Sequence, residues 1–422
     1  MKKQVSVSYV DTEKTFEVEE RNLLGDVFTS IPSGIPEERQ VQTVVDALDN
    51  PIGSKPLDEL VGSDTTVTLL SDDWTRVTPV YRIMPVVIDR LLSYGVNEEN
   101  IRIIVARGTH GALSREQMIQ KLGSEIVERF PVENHNPDEN LTQLGTSKRG
   151  TPVSINSSFL KADVKISIGW LVAHPVAGYG GGAKVIVPGV ASRTTIHHNH
   201  AQAEEEGVAI GIADGNPVRE DMEDIARMAG LDFIVNVMLN ARHEILDAVA
   251  GDVVAAHREG IQRNSRFFGV KIDELADIVV IGASPRDATF GHSGFVLPCG
   301  AAFAKPRGTI IWVAPCLSGP GTPEGRARFK QGLSRTPDEL MAAMKRGEVA
   351  ASGGVFQWVN LKVLHRNKVV LVSDIINRQE SEEYGLPYGE TIQEALDLEL
   401  AQNPDATVRI IPMGGLAVPI YA

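Results

Sequence analysis

Cysteine is nearly absent: Cys299 and Cys316 are the only two in 422 residues. Two thiols cannot build a disulfide framework or a cysteine metal cage, and such usage fits a reducing cytoplasm. A basic surplus is missing as well. Lys and Arg number 41 against 55 Asp and Glu, giving a net charge of −14 with no basic block. That balance argues against nucleic acid and anionic membranes as partners. An anionic substrate must then be held by locally placed cations. No apolar run approaches the length that crosses a bilayer. The opening MKKQVSVSYVDTEKTF alternates like a strand and lacks the apolar core of a signal segment. Repeats at solenoid periods and low-complexity tracts are also lacking. The expectation is a soluble cytoplasmic protein with a small-molecule substrate.

What is present is a succession of short apolar segments that end in polar or glycine-rich loops: TVTLLSDDWTR, IRIIVARGTHG, VKISIGWLVAHP, DIVVIGASPRD, TIIWVAPC and VVLVSD. Helical spacing appears between them, as in Val80, Ile83, Val87 and Leu91. Strand alternating with helix predicts an α/β fold of mainly parallel sheets flanked by helices. A chain of 422 residues predicts two domains. Four strands are expected before about residue 270 and four after it. The domains are therefore placed at 1–270, binding the cofactor, and 271–404, with the C-terminal tail, about 405–422, a candidate to return to the first. Ligands of such sheets sit beyond the carboxyl ends of the strands, which makes an interdomain cleft the expected active site.

The loops hold the polar chemistry. In SDDWTRVTP, Asp73, Trp74, Thr75 and Arg76 follow a strand and precede a proline that can open a helix. A carboxylate and a guanidinium would face the cleft together, although a helix cap beside a surface arginine would read the same way. His110, in ARGTHGALS, follows a strand through a Gly-Thr turn, and His174 stands in the same relation to VKISIGW. Paired imidazoles can remove and return protons on opposite faces of one carbon, which is the arrangement of a racemase. Two unrelated loop histidines are the alternative.

Between His174 and Lys184 the run HPVAGYGGGAK places Gly178, Gly180, Gly181 and Gly182. Their missing side chains would let backbone N–H groups approach a phosphate. Val185 stands where a nucleotide hydrolase needs Ser or Thr, and the G-x-G-x-x-G dinucleotide pattern is lacking. A nucleotide other than ATP or a free dinucleotide is expected, with Lys184 in reach. Farther on, TIHHNH gathers His197, His198 and His200 without an H-E-x-x-H. That cluster suits one histidine completing the coordination of a metal carried by a cofactor better than a metal held by protein alone.

Taken together, DDWTR, GTHG, HPVAGYGGGAKVIVPGVAS, TIHHNH and the earlier NPIGSKPL resemble the lactate racemase family along the whole chain and in order. The resemblance implies a nickel-pincer nucleotide, a pyridinium-3-thioamide-5-thiocarboxylic acid mononucleotide joined to Lys184. Its sulfurs and a ring carbon would hold nickel, with His200 as the remaining ligand. The resemblance also implies His110 and His174 as the acid/base pair, Asp73 to Arg76 as cofactor and substrate contacts, and Trp358 as a wall of the pocket. Arg76 would hold the substrate carboxylate. One histidine would take the hydroxyl proton of a 2-hydroxy acid while the C2 hydride passes to the pyridinium ring, and return to the other face would invert the stereocentre. Cofactor-making enzymes are the implied partners.

One stretch departs from the pattern. The family carries a P-[KR]-D turn followed by a glutamine and, three residues later, a lysine at the substrate. Here Pro285, Arg286 and Asp287 keep the turn, but the later positions read His292 and Phe295. The lost cation points to an acid of other size or polarity than lactate, unless Lys305 fills the gap. The expected function is a racemase or epimerase of a 2-hydroxy acid other than lactate. A cofactor-dependent oxidoreductase of a sugar or hydroxy acid and a non-catalytic carrier of the nickel nucleotide are the alternatives.

Overall fold

The computed structural model describes residues 1–25, 31–321 and 323–421. Two compact units divide the chain. One gathers the N-terminal residues through Gly25, the short stretch Ala173–Pro175 and the chain from Phe268 onward; the other holds Ile31–Val172 and Val176–Phe267. Among the described residues no helix is long and apolar enough to cross a membrane.

The second of these units is built on a six-stranded sheet in the order Ile245–Gly251, Phe233–Leu239, Val164–Trp170, Val67–Asp72, Ile101–Ala106, Val132–Asn134. All neighbours run parallel except Ile245–Gly251, which closes one edge antiparallel to Phe233–Leu239. Val67–Asp72 and Val164–Trp170 are buried at every position, because both faces of a parallel sheet are covered. Helix Val80–Ser93 buries Val80, Ile83, Val87 and Leu91, the spacing visible in its sequence. The chain starts at Val67–Asp72, steps outward to one edge, then crosses back to Val164–Trp170. Strand order thus reverses between these two neighbours, where sheets of this kind open a ligand crevice at their carboxyl ends.

The other unit carries a four-stranded parallel sheet ordered Lys368–Val372, Ala304–Val313, Ala276–Gly282, Val408–Ile411. The hairpin Lys2–Tyr9 and Thr12–Glu19 turns Val5, Val7, Tyr9, Phe16 and Val18 into the same core as Ile278, Val280, Ile311 and Val408. Each such buried aliphatic or aromatic side chain contributes roughly 1.5–3 kcal/mol.

Three expectations are corrected here. The N-terminal hairpin belongs with the C-terminal sheet, because its inward side chains complete that core. The tail through residue 421 also stays there: Val408–Ile411 is a strand of that sheet, and Val418–Ile420 pairs with Gly269–Lys271. The sheet ahead of residue 270 has six strands instead of four. Val132–Asn134 is short, and the turn joining Phe233–Leu239 to Ile245–Gly251 has no glycine, since His243 takes the left-handed conformation at φ 61°.

Candidate active site

The strand Val67–Asp72 delivers two carboxylates with different fates. Asp72 is buried against the Lys121 ammonium at 2.7 Å and accepts a hydrogen bond from Thr78 Oγ1. Burial pushes the Asp72 carboxyl up, and Lys121 opposes that shift. Lys121, itself buried in helix Arg115–Leu122, also donates to the carbonyls of Arg76 at 2.8 Å and Thr78 at 3.1 Å. The pair therefore fixes the backbone of the DWTRVT turn.

Asp73 is buried and faces the imidazole. Its Oδ1 accepts from Thr75 N at 3.0 Å and Thr75 Oγ1 at 2.5 Å, and its Oδ2 is bonded to His110 Nδ1. Burial alone would raise the Asp73 carboxyl, but His110, Arg76 and Thr75 outweigh it and hold it down at about 2. A carboxylate on Nδ1 selects the tautomer with its proton on that nitrogen, and 48% of the His110 side chain is exposed. The turn carrying His110 is seated by the Pro-Gly that follows Lys184, because Gly108 N donates to Gly189 O at 2.9 Å.

Arg76 donates to Thr75 Oγ1 at 3.0 Å and lines a cavity of about 370 Å³ with Trp74, Tyr81, Arg82, Arg242 and His243. Trp74 is exposed. Neither Asp73 nor Thr75 caps the next helix, whose first flanking residue is Pro79 without any side-chain cap. The reading of this motif as a mere helix start is thereby removed.

The glycine loop is packed against protein on the sides its glycines open. A Cβ on Gly181 would stand 2.5 Å from Asn236 Oδ1, and one on Gly182 would stand 2.7 Å from the His257 ring; both glycines have positive φ, 67° and 55°. Gly180 N donates to Val172 O and Gly182 N to Asn236 Oδ1, both at 2.7 Å. Those two N–H groups are used internally, which corrects the expectation that they cradle a phosphate. Arg219, buried in helix Pro217–Met228, draws the loop together from behind. It donates to the carbonyls of Ala177 at 3.1 Å, Tyr179, and Gly181 at 3.3 Å. His257 Nε2 meets the fourth carbonyl, Gly180 O, at 2.9 Å. Burial brings the Arg219 guanidinium down to about 10.

Lys184 sits on the short turn Gly182–Val185 that closes this loop. His200 is buried near the C-terminus of helix Arg193–Ala201, and its Nδ1 has no hydrogen-bond partner. Burial, then the charge of Lys184, then His197 lower the His200 imidazole to about 3, so it is neutral. The helix is anchored next door: buried Asn199 donates to Asp221 Oδ2 at 2.8 Å, which Thr151 and Gln202 also reach. His198 is exposed and pairs with its own helix at Thr194 O, and His197 lies edge-on to it.

In the other unit, His174 lies edge-on to Phe295 with ring centroids 6.2 Å apart. His292 approaches the same ring edge-on at 6.0 Å, Phe356 stacks on it at 3.8 Å, and the Arg286 guanidinium lies over it at 4.8 Å. Trp358 is buried, with the Lys362 ammonium 4.3 Å from its ring. Lys305 is elsewhere. It pairs with Asp277 at 2.9 Å, where both strands Ala276–Gly282 and Ala304–Val313 begin, at the amino end of the sheet. It does not replace the cation missing at Phe295, whose turn follows the carboxyl end of Ala276–Gly282.

Sequence reading missed Lys121, Arg219, Asn236, His257 and Phe356. Each lies in an ordinary helix or strand and acquires its role only through contacts distant in sequence.

Comparison with known proteins finds relatives along nearly the whole chain. Residues 9–211 match the model of the lactate racemase N-terminal domain, and residues 273–420 that of the lactate racemase C-terminal domain. The lactate racemase of Thermoanaerobacterium thermosaccharolyticum is 29% identical over 97% of both chains. That of Lactiplantibacillus plantarum is 29% identical over 95% of this chain and 96% of its own. The structure of the lactate racemase apoprotein from T. thermosaccharolyticum superposes with a TM-score of 0.89 at 26% identity, covering 99% of this chain and 100% of that one. A Thermotoga maritima protein, at 19% identity and a TM-score of 0.65 over 92% and 99% of the two chains, shares the fold. With both domains matched, the chain belongs to the lactate racemase family and, with it, to the isomerases.

Proposed function

We propose that this chain is a racemase or epimerase of a 2-hydroxy acid other than lactate, working with a nickel-pincer nucleotide attached to Lys184. The observation that carries the reading is the bond between buried, ionised Asp73 and His110 Nδ1. That pairing orients a proton-transfer base and stabilises the imidazolium formed when Nε2 takes a hydroxyl proton. His174 is the proposed second acid/base group, and Arg76 the cation for the substrate carboxylate.

The residues present suit the nucleotide. His200 is neutral and buried and offers a ring nitrogen without a protein partner, as a metal ligand must. Lys184, close enough to depress that imidazole, supplies the amine for attachment. When bound, the nucleotide would supply the hydride acceptor for C2 of the substrate. Phe295, in place of an amine, is what sets the proposed substrate apart from lactate.

The test is co-expression with the enzymes that make the nucleotide, followed by intact mass, nickel content and inversion of single enantiomers of 2-hydroxy acids. Expected are an adduct on Lys184 that Lys184→Ala removes, and a His110→Ala protein that keeps nickel but loses turnover by roughly 10²-fold or more. Active protein with an unmodified Lys184, or a keto acid released in stoichiometric yield, would overturn the reading.

A further inference from the structure

We infer that the cavity beside the Arg76 turn is a binding site for a phosphate-type dianion, and that an anion seated there competes with the substrate carboxylate for Arg76; only the competition rests on the racemase reading above. The cavity holds about 370 Å³, within the span of small-ligand sites. Its wall is drawn from residues 74–82, from helix Arg115–Leu122 and from the turn that carries Arg242 and His243. The chain has 55 acidic residues against 41 basic ones, yet none of the described residues in this wall is Asp or Glu. Arg76, Arg82, Lys121 and Arg242 all line it. Lys184 and His200, proposed to hold the nucleotide, do not.

The four cations are not equivalent. Lys121 is matched by Asp72 at 2.7 Å, and Arg82 faces Glu37 at 3.5 Å. Among the described residues no carboxylate lies within ion-pair distance of Arg76 or Arg242, so these two guanidiniums are the ones an anion would meet. Each presents a planar fork that matches phosphate oxygens. His243 adds a ring nitrogen, Nε2, that is buried and has no hydrogen-bond partner among the described residues. Leaving such an atom unpaired is costly, and as an N–H it would donate to a ligand oxygen. The turn is already in place to do this. Asn240 Oδ1 accepts from Arg242 N at 2.9 Å and Glu244 N at 3.0 Å, and His243 sits in the left-handed region at φ 61°. Trp74 and Tyr81, both exposed, set flat apolar surface next to the cations, which would cover the ring of an aryl ester. Arg76 also donates to Thr75 Oγ1, which in turn donates to Asp73 at 2.5 Å. An anion that draws Arg76 into the cavity therefore acts on the group proposed to hold the substrate.

The experiment titrates the unloaded chain and the nucleotide-loaded enzyme with inorganic phosphate and with phenyl phosphate, by calorimetry in about 0.15 M salt, where loose surface attraction is screened. Saturable binding with a Kd below about 1 mM is expected for both forms of the protein. Arg242→Gln should weaken it by roughly 10-fold or more. His243→Gly should weaken it too while keeping the folded stability, because glycine accepts the positive φ. Tighter binding of phenyl phosphate identifies an ester as the source of the anion, and equal binding identifies free phosphate; either supports the site. In the loaded enzyme, phosphate should raise KM for the 2-hydroxy acid with kcat unchanged, and Arg242→Gln should remove that effect. Absence of saturable binding, or an affinity that neither variant moves, overturns the site. Binding that disappears once the nucleotide is attached means that the anion had taken the nucleotide's own place, and overturns it as well. An unmoved KM overturns the competition and leaves the site standing. Phosphate bound through Arg242 in a loaded chain that inverts no 2-hydroxy acid keeps the site and removes the racemase reading, and the competition with it.

Discussion

Asp73 and His110 are joined through Oδ2 and Nδ1, the carboxylate buried and the imidazole half in solvent. Asp73→Asn keeps the shape and removes the charge that selects the tautomer. Turnover by the loaded enzyme should fall roughly 10²- to 10⁴-fold. The same substitution reports on stability. The Asp73 carboxyl sits at about 2 in the folded chain against an ordinary 3.8, so its contribution is present above pH 4 and is lost as pH falls toward 2. Wild type should exceed the variant by about 2 kcal/mol at pH 7, the gap closing below pH 4 in denaturant titrations. A gap independent of pH would contradict this.

Arg219 bonds to three carbonyls of the glycine loop from a fully buried position. Arg219→Met fills similar space and leaves those oxygens unpaired, which should cost about 3 kcal/mol or more. Hydrogen exchange at residues 180–184 should accelerate beyond the global change, and Arg219→Lys should recover part of the protection. Uniform acceleration across residues 31–267 would mean that Arg219 stabilises the unit without shaping the loop.

Asp287 titrates in the opposite sense to Asp73. Burial and, more weakly, Asp11 push its carboxyl up to about 6 against the help of Ser284, and its Oδ1 is buried without a partner. Its folded value lies above the unfolded one, so stability is greatest below about pH 4 and declines as pH rises through 6. Asp287→Asn should match wild type near pH 4 and be more stable by about 2 kcal/mol at pH 8. Thermal melts across that range decide it.

Lys305 pairs with Asp277 at the amino end of its sheet, with 40% of its side chain exposed. Lys305→Met should change stability by less than about 1 kcal/mol. KM and kcat should be unaltered. A raised KM would restore Lys305 as the substrate cation.

Much of this molecule is legible in its sequence. Val80, Ile83, Val87 and Leu91 announce a helix face, and the buried strand beginning at Val164 announces a parallel sheet. VSVSYV announces a strand too, but nothing in it says which sheet its valines will cover; the partners Ile278 and Ile311 lie hundreds of residues away. The glycines before Lys184 were visible, and their reason was not. Asn236 and His257, which occupy the space a side chain would need, come from a strand and a helix beyond it. Phe295 stood out because a motif frames it. Phe356, its stacking partner, sits in a helix whose sequence reads as ordinary core.

The grip of Arg219 and His257 on successive carbonyls from Ala177 to Gly181 has a further consequence. The backbone leading to Lys184 is given its course when the polypeptide folds, so a molecule arriving there later need not organise it. On the reading proposed for Lys184, attachment of the nucleotide would then carry little cost of ordering this backbone.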